Sequence, residues 1–315
     1  MDVTVGICSR NRCGLLEKVL LSLADQTLAP DRYEVVLVDD GSTDDTPAMA
    51  RRVEVPYTLV YLRQPHSGLS TARNTGIRRA RGRVMVYIDD DVLGDRRLLE
   101  EHLRSHEAHD KCVVNGWVNH VTEPLRPESP VFTMADISTS FFWTSNVSVK
   151  TEHLIACGMF DEDFKEYGWE DQEVGLRLMA LGLKARNNYR AIGYHVKRPT
   201  RWCDVPRVLL QTEAKARTAL IYIRKHPRMR ARLSTGTHPP RVAMAALMNF
   251  GGMVEAYCRR CLGLDRDPRP EDERPLAPHE SFCLRQLSTI HYYRTLRSHR
   301  PESADSNRWS MVGGG

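Results

Sequence analysis

Short apolar runs rich in β-branched residues alternate with segments of helical periodicity at the start of the chain. Four of these runs read as strands, at residues 3–8, 33–40, 57–62 and 84–88. Helical patterns fall between them, at residues 15–24, from Thr46 and Pro47 onward, and at residues 70–80. This alternation predicts an α/β fold with a largely parallel sheet covered by helices on both faces.

Acidic residues stand directly at the ends of two predicted strands. Asp39 and Asp40 end the second strand, and Asp89, Asp90 and Asp91 follow the fourth. Ligands of such sheets bind outside the carboxyl ends of the strands. Carboxylates that converge there suit Mg²⁺ or Mn²⁺, with substrate phosphates as further metal ligands. An aspartate-rich turn that caps backbone amides is the alternative, and these residues alone leave both open.

Charge and glycine spacing exclude several classes of function. The net charge of +5 fits anionic partners such as nucleotide phosphates or lipid headgroups, and it is too small to indicate nucleic acid. The sequence GICSRNRCG after the first strand lacks the G-x-G-x-x-G spacing of dehydrogenases, and a P-loop is likewise missing. The lone pair Cys258 and Cys261 favours two thiols on a helix over a zinc or redox site.

The sequence predicts a catalytic domain at residues 1–199, a helical extension at 200–299 and a disordered tail at 300–315. Because the chain opens with a strand and has no apolar run of roughly 18 residues, we expect a cytoplasmic protein. Three helical segments are expected in the extension, the second of them at residues 241–264. They either pack on the catalytic domain or a partner, or contact the inner face of the membrane peripherally.

Seven sequence pieces in order carry a family resemblance across residues 3–197. They are GICSRNR, EVVLVDDGSTDDT, SGLSTARNTGIRRARG, VYIDDDV, SNVSVK, GMFDEDFKEYGWEDQEVGLRL and YHV. Together they resemble glycosyltransferase family 2, whose members have the GT-A fold and use nucleotide sugars. The resemblance implies a Rossmann-like mixed, mainly parallel sheet flanked by helices, here with a C-terminal helical extension.

The resemblance also implies a nucleotide-sugar site. Asp39, helped by Asp40, would accept a hydrogen bond from the nucleobase, and Arg73 would reach the nucleotide. The backbone at the end of the first strand would lie against the nucleoside, at residues Cys8, Ser9 and Arg10. The family more often has Pro-Thr-Tyr at these three positions, so Cys8 and Ser9 depart from its pattern.

The family's D-x-D pair corresponds to Asp89 and Asp91, with Asp90 between them at the nucleotide sugar. His195 matches a histidine that completes the metal shell in several GT-A enzymes, so the implied cofactor is Mn²⁺ or Mg²⁺. A histidine that is merely hydrogen-bonded remains the alternative.

The last large piece implies the catalytic base. Asp171 corresponds to the acid that removes the acceptor proton, and Glu170 beside it is expected at the nucleotide sugar. The alternative is that both acids only suit the positive N-terminus of the helix, without catalysis. Trp169 is either a platform for the sugar ring or a core aromatic residue.

The predicted function is transfer of a sugar, with inversion, from a nucleoside-diphosphate sugar to an acceptor hydroxyl. The donor is expected to be UDP-linked, and the acceptor is a glycan, lipid-linked glycan, peptide or metabolite. Two alternatives remain, a degenerate protein that binds a nucleotide sugar without turnover and a scaffold at the membrane surface.

Overall fold

A computed structural model describes residues 1–136, 140–265 and 273–299. The chain divides into two compact units, an N-terminal unit of Met1–Pro199 and a C-terminal unit of Thr200–Gly315. Each unit is considered by itself. The expected disordered tail at 300–315 lies outside the described residues.

The N-terminal unit contains one mixed sheet of eight strands among its described residues. In chain order they are β1 Val3–Ser9, β2 Tyr33–Asp39, β3 Thr58–Arg63, β4 Val84–Ile88, β5 Val92–Gly94, β6 Cys112–Val121, β7 Asn146–Lys150 and β8 Lys184–Val196. Their order across the sheet is β3-β2-β1-β4-β7-β6-β8-β5. All residues of β2 and β4 are buried, as the apolar runs predicted.

Helices flank this sheet. Those described are α1 Cys13–Ser22, α2 Thr46–Arg52, α3 Leu69–Arg79, α4 Leu98–Ala108, α5 Thr151–Ala156 and α6 Glu170–Ala180. Apolar side chains of β1, β2 and α1 share one core with α4, and a second core joins β4 and β7 to α6. Helix α6 ends before Gly182, whose φ of 85° is the left-handed geometry that glycine supplies after a helix.

Strands β3, β2, β1 and β4 are parallel, so their carboxyl ends meet at one edge of the sheet. Ser9 at the end of β1 is directly opposite Asp39 at the end of β2. Strand β7 runs antiparallel to β4, and β5 runs antiparallel to β8 with Val92 opposite His195. The pairing of β5 with β8 brings residues more than 100 positions apart to the end of β4.

The described helices of the C-terminal unit are α7 Val205–Lys225, α8 Met229–Ser234, α9 Pro239–Met248, α10 Met253–Cys261 and α11 Pro278–Ser298. Cys258 and Cys261 are free thiols that both lie on α10 and pack in a core shared by α7, α10 and α11. None of the helices in the described part of the chain is both long and apolar enough to cross a bilayer.

The helical segment expected at residues 241–264 is interrupted. The structure has two helices there, α9 and α10, joined by a 3-10 turn at Phe250–Gly252. All three turn residues have positive φ, with 65° at Gly251 and 101° at Gly252. Two adjacent glycines make this left-handed conformation accessible, so the helix breaks. Helix α8 was not predicted.

Candidate active site

The loop after β1 is fixed by Asn11. This residue has φ of 55°, and its side-chain Oδ1 accepts a hydrogen bond of 2.7 Å from the Thr43 backbone N–H. Its own N–H donates to Ser42 Oγ at 3.0 Å. The loops that follow β1 and β2 are therefore tied together, and Arg10 is exposed at their rim.

Asp39 is fully buried and holds the turn after β2. Its Oδ1 accepts a 2.7 Å hydrogen bond from the Ser42 N–H, and its Oδ2 accepts one of 2.7 Å from the Tyr61 hydroxyl. Arg63 Nε lies 3.6 Å from the same Oδ2. The carboxylate predicted to bind the nucleobase thus already organises the surrounding loops.

Asp40 holds the loop between β3 and α3. It accepts hydrogen bonds from the side chains of Gln64 and His66 and from the N–H groups of Ser67 and Gly68, at 2.7–3.0 Å. Burial alone would raise the pKa of Asp40, but these donors lower it below its usual value. Asp40 is therefore an ionised anchor.

Arg73 and Glu170 form a buried ion pair. Arg73 Nη1 lies 2.9 Å from Glu170 Oε1, and its Nη2 donates to Thr144 Oγ1 at 2.7 Å. The guanidinium carbon also lies 5.0 Å from the centroid of the Phe160 ring. The arginine predicted to reach the nucleotide thus joins α3 to the start of α6.

The three carboxylates after β4 differ in their partners. Asp89 accepts a short hydrogen bond from the Ser145 hydroxyl, and Asp90 accepts one of 2.7 Å from Ser9. Asp91 Oδ2 lies 2.6 Å from Arg12 Nη1. Ser9 is thus placed beside the acidic cluster, and the preceding residue, Cys8, is half-buried.

The same environment sets the pKa values of these carboxyls. Burial raises the pKa of Asp89, and it raises that of Asp90 to about 6. Burial acts in the same direction on Asp91, but His195 and Arg12 lower its pKa below the usual value. Asp91 is therefore the most firmly ionised member of the cluster.

The pair Asp91 and His195 fits two ligands of a divalent cation. Asp91 Oδ1 lies 3.3 Å from His195 Nε2 and, within the described residues, lacks a well-formed hydrogen bond. Nowhere in residues 1–136, 140–265 and 273–299 are three His, Cys, Asp or Glu side chains already grouped for a metal. A cation bound by one or two carboxylates takes its other ligands from substrate phosphates. The donor set therefore fits a metal shared with a diphosphate.

Asp171 lies in the first turn of α6 and is partly buried. Its Oδ1 accepts a 2.7 Å hydrogen bond from the Gln172 N–H. Burial, followed by the charge of Glu170, raises the pKa of Asp171. A carboxylate with a raised pKa is a stronger base and is suited to accept a proton.

Trp169 precedes α6 with φ of 68° and is buried. This position favours the role of a core aromatic over that of an exposed sugar platform. A left-handed conformation is uncommon for a bulky residue and clusters at functional sites.

The charges of the acidic residues affect the pKa values of their neighbours. The charge of Asp91 further raises the pKa of Asp89. The charge of Asp89 in turn further raises the pKa of Asp171. The carboxyl end of β4 and the start of α6 are thus close enough to influence one another. The predicted metal ligands and the predicted base therefore lie within range of one another's charge.

The segment between β6 and β7 is anchored beside this cluster by Asp136. The Asp136 carboxylate accepts hydrogen bonds of 2.9–3.1 Å from Trp117, Asn119, His120 and Thr133. The ring centroids of His120 and His195 lie 5.3 Å apart. The described residues after β6, up to Asp136, are thereby connected to the candidate metal site.

Sequence reasoning missed Arg12, Ser145, His120 and Asp136. Arg12 belongs to the matched piece GICSRNR, but its contact with Asp91 depends on where the loop after β1 passes the end of β4. Ser145 starts the piece SNVSVK, which was used only as part of the resemblance. No spacing in the sequence relates Asp136 to His120.

The model described as Glycosyl transferase family 2 matches residues 4–161, which is half of the chain. The chain belongs to this family. It is 30% identical over 264 residues to validoxylamine A glucosyltransferase of Streptomyces hygroscopicus subsp. limoneus, with 71% of this chain covered. It is 24% identical over 240 residues to chondroitin synthase of Escherichia coli, with 62% covered. The chain spans 57% and 35% of the lengths of these two relatives.

Solved structures of glycosyltransferases share the fold of this family member. A mannosyltransferase from Pyrobaculum calidifontis, in complex with GDP-Man and Mn²⁺, matches with a TM-score of 0.63 at 18% identity, over 95% of this chain and 88% of that one. TarS 1-349 of S. aureus, in complex with UDP-GlcNAc, matches with a TM-score of 0.56 at 18% identity, over 95% and 92%. The predicted GT-A fold is confirmed.

Proposed function

We propose that this family 2 protein transfers a sugar from a nucleoside-diphosphate sugar to an acceptor hydroxyl, with inversion, and that residues 1–199 form its catalytic domain. One observation carries the proposal: side-chain contacts connect Asp89 after β4 to the start of α6. Ser145 donates to Asp89, and the adjacent Thr144 accepts from Arg73. Arg73 in turn pairs with Glu170, the neighbour of Asp171. Residues 200–299 are proposed as a helical extension. A UDP-linked donor is the first candidate, although the solved relatives contain both GDP-Man and UDP-GlcNAc.

Each site residue has a proposed part in the reaction. The loops held by Asp39 and Asp40, with residues Cys8, Ser9 and Arg10, line the nucleoside position. Asp89 and Asp90 face the sugar and ribose, and Asp91 and His195 hold Mn²⁺ or Mg²⁺. The cation supplies neutralisation of the charge that develops on the departing diphosphate.

Asp171 acts as the general base. A hydroxyl is a poor nucleophile at neutral pH, and a positioned carboxylate that removes its proton contributes about 10²–10⁴-fold in rate. The charge of Glu170 raises the pKa of Asp171, and the buried ion pair with Arg73 holds Glu170 in place. Direct displacement by the activated hydroxyl at the sugar carbon inverts its configuration.

The test is a thermal-shift screen of UDP- and GDP-sugars with and without Mn²⁺, followed by transfer assays with the donors that bind. A donor at 100 times its Kd should add about 2.7 kcal/mol to the free energy of unfolding. Metal-dependent binding of a donor, followed by release of nucleoside diphosphate, would support the proposed transferase activity. Binding without transfer or donor hydrolysis, across acceptors of all four classes, would indicate the degenerate binding protein instead.

We also propose that the C-terminal unit contacts an anionic membrane surface through the corner between α9 and α10, at Phe250–Gly252 and the residues beside it. Leu247, Phe250 and Met253 at this corner are 75%, 70% and 72% exposed. Residues 200–265 and 273–299 contain sixteen Lys and Arg but only six Asp and Glu, so this part of the chain is basic. Apolar side chains that insert and basic residues that attract anionic lipid are the two requirements of interfacial binding.

Vesicle flotation tests this contact. The full chain should float with vesicles that contain phosphatidylglycerol and should bind less to pure phosphatidylcholine. Phe250→Glu should abolish flotation, whereas Leu125→Glu, at an exposed apolar residue of the N-terminal unit, should not. Flotation that is unaffected by Phe250→Glu, or a dimer that this substitution dissociates, argues against the membrane.

A further inference from the structure

A single guanidinium nitrogen lies between two of the carboxylates after β4. Arg12 Nη1 is 2.6 Å from Asp91 Oδ2 and 3.3 Å from Asp90 Oδ1. The site therefore already contains a positive charge on the carboxylate that the proposed function assigns to the metal. A guanidinium is permanently charged, so this pairing persists across the physiological pH range.

The backbone around Arg12 is fixed by hydrogen bonds, whereas its side chain is partly exposed. Asn11 is held by Ser42 and Thr43, and the Cys13 N–H donates to Asp44 Oδ2 at 3.0 Å. The side chain of Arg12, by contrast, is 41% exposed. Rotation of this side chain toward solvent therefore disrupts its ion pairs without moving the loop.

We propose that Arg12 is a resident counter-cation that neutralises Asp90 and Asp91 before a divalent cation binds, and that it then turns to the donor diphosphate. The proposal rests on the metal and diphosphate site of the proposed function. Three successive carboxylates repel each other unless a cation lies among them. Arg12 meets this need in the free protein, and it competes there for Asp91.

The diphosphate removes this competition. Its oxygens offer the released guanidinium a bidentate, charge-assisted partner in place of Asp91. Cation and nucleotide should therefore each strengthen the binding of the other by the same factor, as linkage requires. Arg12 in this way makes binding of the cation depend on the presence of the leaving group.

Mn²⁺ binding to the full chain tests the proposal without any transfer assay. Free Mn²⁺ is measured by electron paramagnetic resonance for wild type and Arg12→Gln, with and without UDP or GDP. Arg12→Gln should bind Mn²⁺ alone about fivefold or more tightly than wild type, within the usual range of coupling between sites. The nucleotide should then enhance Mn²⁺ binding less in the variant than in wild type.

Arg52→Gln is the matched control. Arg52 is an exposed arginine in an ion pair of 2.6 Å with Asp45, so its loss changes the net charge equally. It should leave Mn²⁺ affinity at the wild-type value. If Arg12→Gln lacks the wild-type circular dichroism, Arg12→Met repeats the test.

The outcomes separate this inference from the proposed function. Unchanged or weakened affinity for Mn²⁺ alone in folded Arg12→Gln overturns the role of Arg12. In that case, nucleotide-dependent Mn²⁺ binding by the wild type would still support the proposed metal site. A wild type that binds no Mn²⁺ even with UDP or GDP overturns the metal site itself, and the inference with it.

Discussion

Neighbouring carboxyls in this protein differ because their partners differ. Asp91 has a lowered pKa beside Arg12 and His195, whereas burial raises the pKa of Asp90 to about 6. Asp171 is shifted upward by burial and by Glu170. A cluster of chemically identical side chains can therefore divide the tasks of holding a cation and accepting a proton.

Asp171→Asn should lower the transfer rate by about 10²–10⁴-fold, because an amide cannot accept the acceptor proton. Donor binding should be unchanged, since the side chain keeps its size and its hydrogen bond from the Gln172 N–H. A transfer assay measures the change in rate, and calorimetry measures the affinity for the donor. A variant that retains most of its turnover would show that Asp171 is not the base.

The pH dependence of transfer should reflect the raised pKa of Asp171. Only the ionised carboxylate accepts a proton, so the rate should increase as pH rises through this pKa and fall below it. The acidic limb of the kcat/KM profile should lie above the value of about 3.9 that an ordinary aspartate would give. An acidic limb at the ordinary aspartate value would contradict the assignment.

Arg73→Met should lower the free energy of unfolding by about 3–5 kcal/mol, because Glu170 is left buried without its partner. Chemical denaturation measures this loss. Arg78→Met is the control, since Arg78 lies on the same helix as Arg73 and its ion pair with Glu162 is exposed. It should cost at most about 1 kcal/mol. Equal effects of the two substitutions would argue against a structural role for the buried pair.

At the scale of elements, the loops at the carboxyl edge are held by side chains more than by regular structure. Asp40 fixes the entry to α3, Asn11 joins the loops after β1 and β2, and Asp136 anchors the segment between β6 and β7. The parallel strands bring these loops to one edge, and the pairing of β5 with β8 adds His195. Rigid loops of this kind preorganise a site for its ligand.

Gly68→Ala tests the entry to α3. Gly68 has φ of 93°, and a Cβ there would lie 2.6 Å from the backbone oxygen of Lys165. The substitution should lower the free energy of unfolding by about 2 kcal/mol or more.

Gly14→Ala provides the contrast for this test. A Cβ at Gly14 in α1 meets nothing within 4 Å, so the substitution should stabilise the fold by up to about 1 kcal/mol. Both variants are compared by urea denaturation. A neutral Gly68→Ala would mean that the loop can move away from Lys165.

At the scale of the whole molecule, each unit has apolar cores of its own. The cores of the N-terminal unit lie on the two faces of its sheet, and the core of the C-terminal unit joins α7, α10 and α11. A unit with its own core can in principle fold alone. The residues with proposed roles in the reaction all lie in Met1–Pro199.

A fragment of residues 1–199 should therefore unfold cooperatively and bind the donor with the affinity of the full chain. Thermal denaturation with and without nucleotide sugar measures both properties. A folded fragment without donor binding would mean that the C-terminal unit contributes to the nucleotide site. Residues 200–315 alone should give no donor-dependent shift.

Sequence by itself determined the alternation of strands and helices, the family and the GT-A fold. These follow from local periodicity and from seven ordered motifs, since a buried strand needs an apolar run and a bound phosphate needs specific loops. It also placed Asp89, Asp91 and Asp171 among the candidates, and their roles remain predictions. The break between α9 and α10 falls at Gly251 and Gly252, two glycines that interrupt this segment in the sequence.

Only the tertiary structure decided which side chains meet. The contacts of Arg12 with Asp91, Arg73 with Glu170 and Asp136 with His120 join residues 16 to 97 positions apart. Such pairs depend on the order of the strands in the sheet and on the path of the loops. Neither produces a periodic pattern of residues that could be recognised in the sequence. Partners in turn set charge and burial, so the pKa of each acidic residue is a property of the folded site.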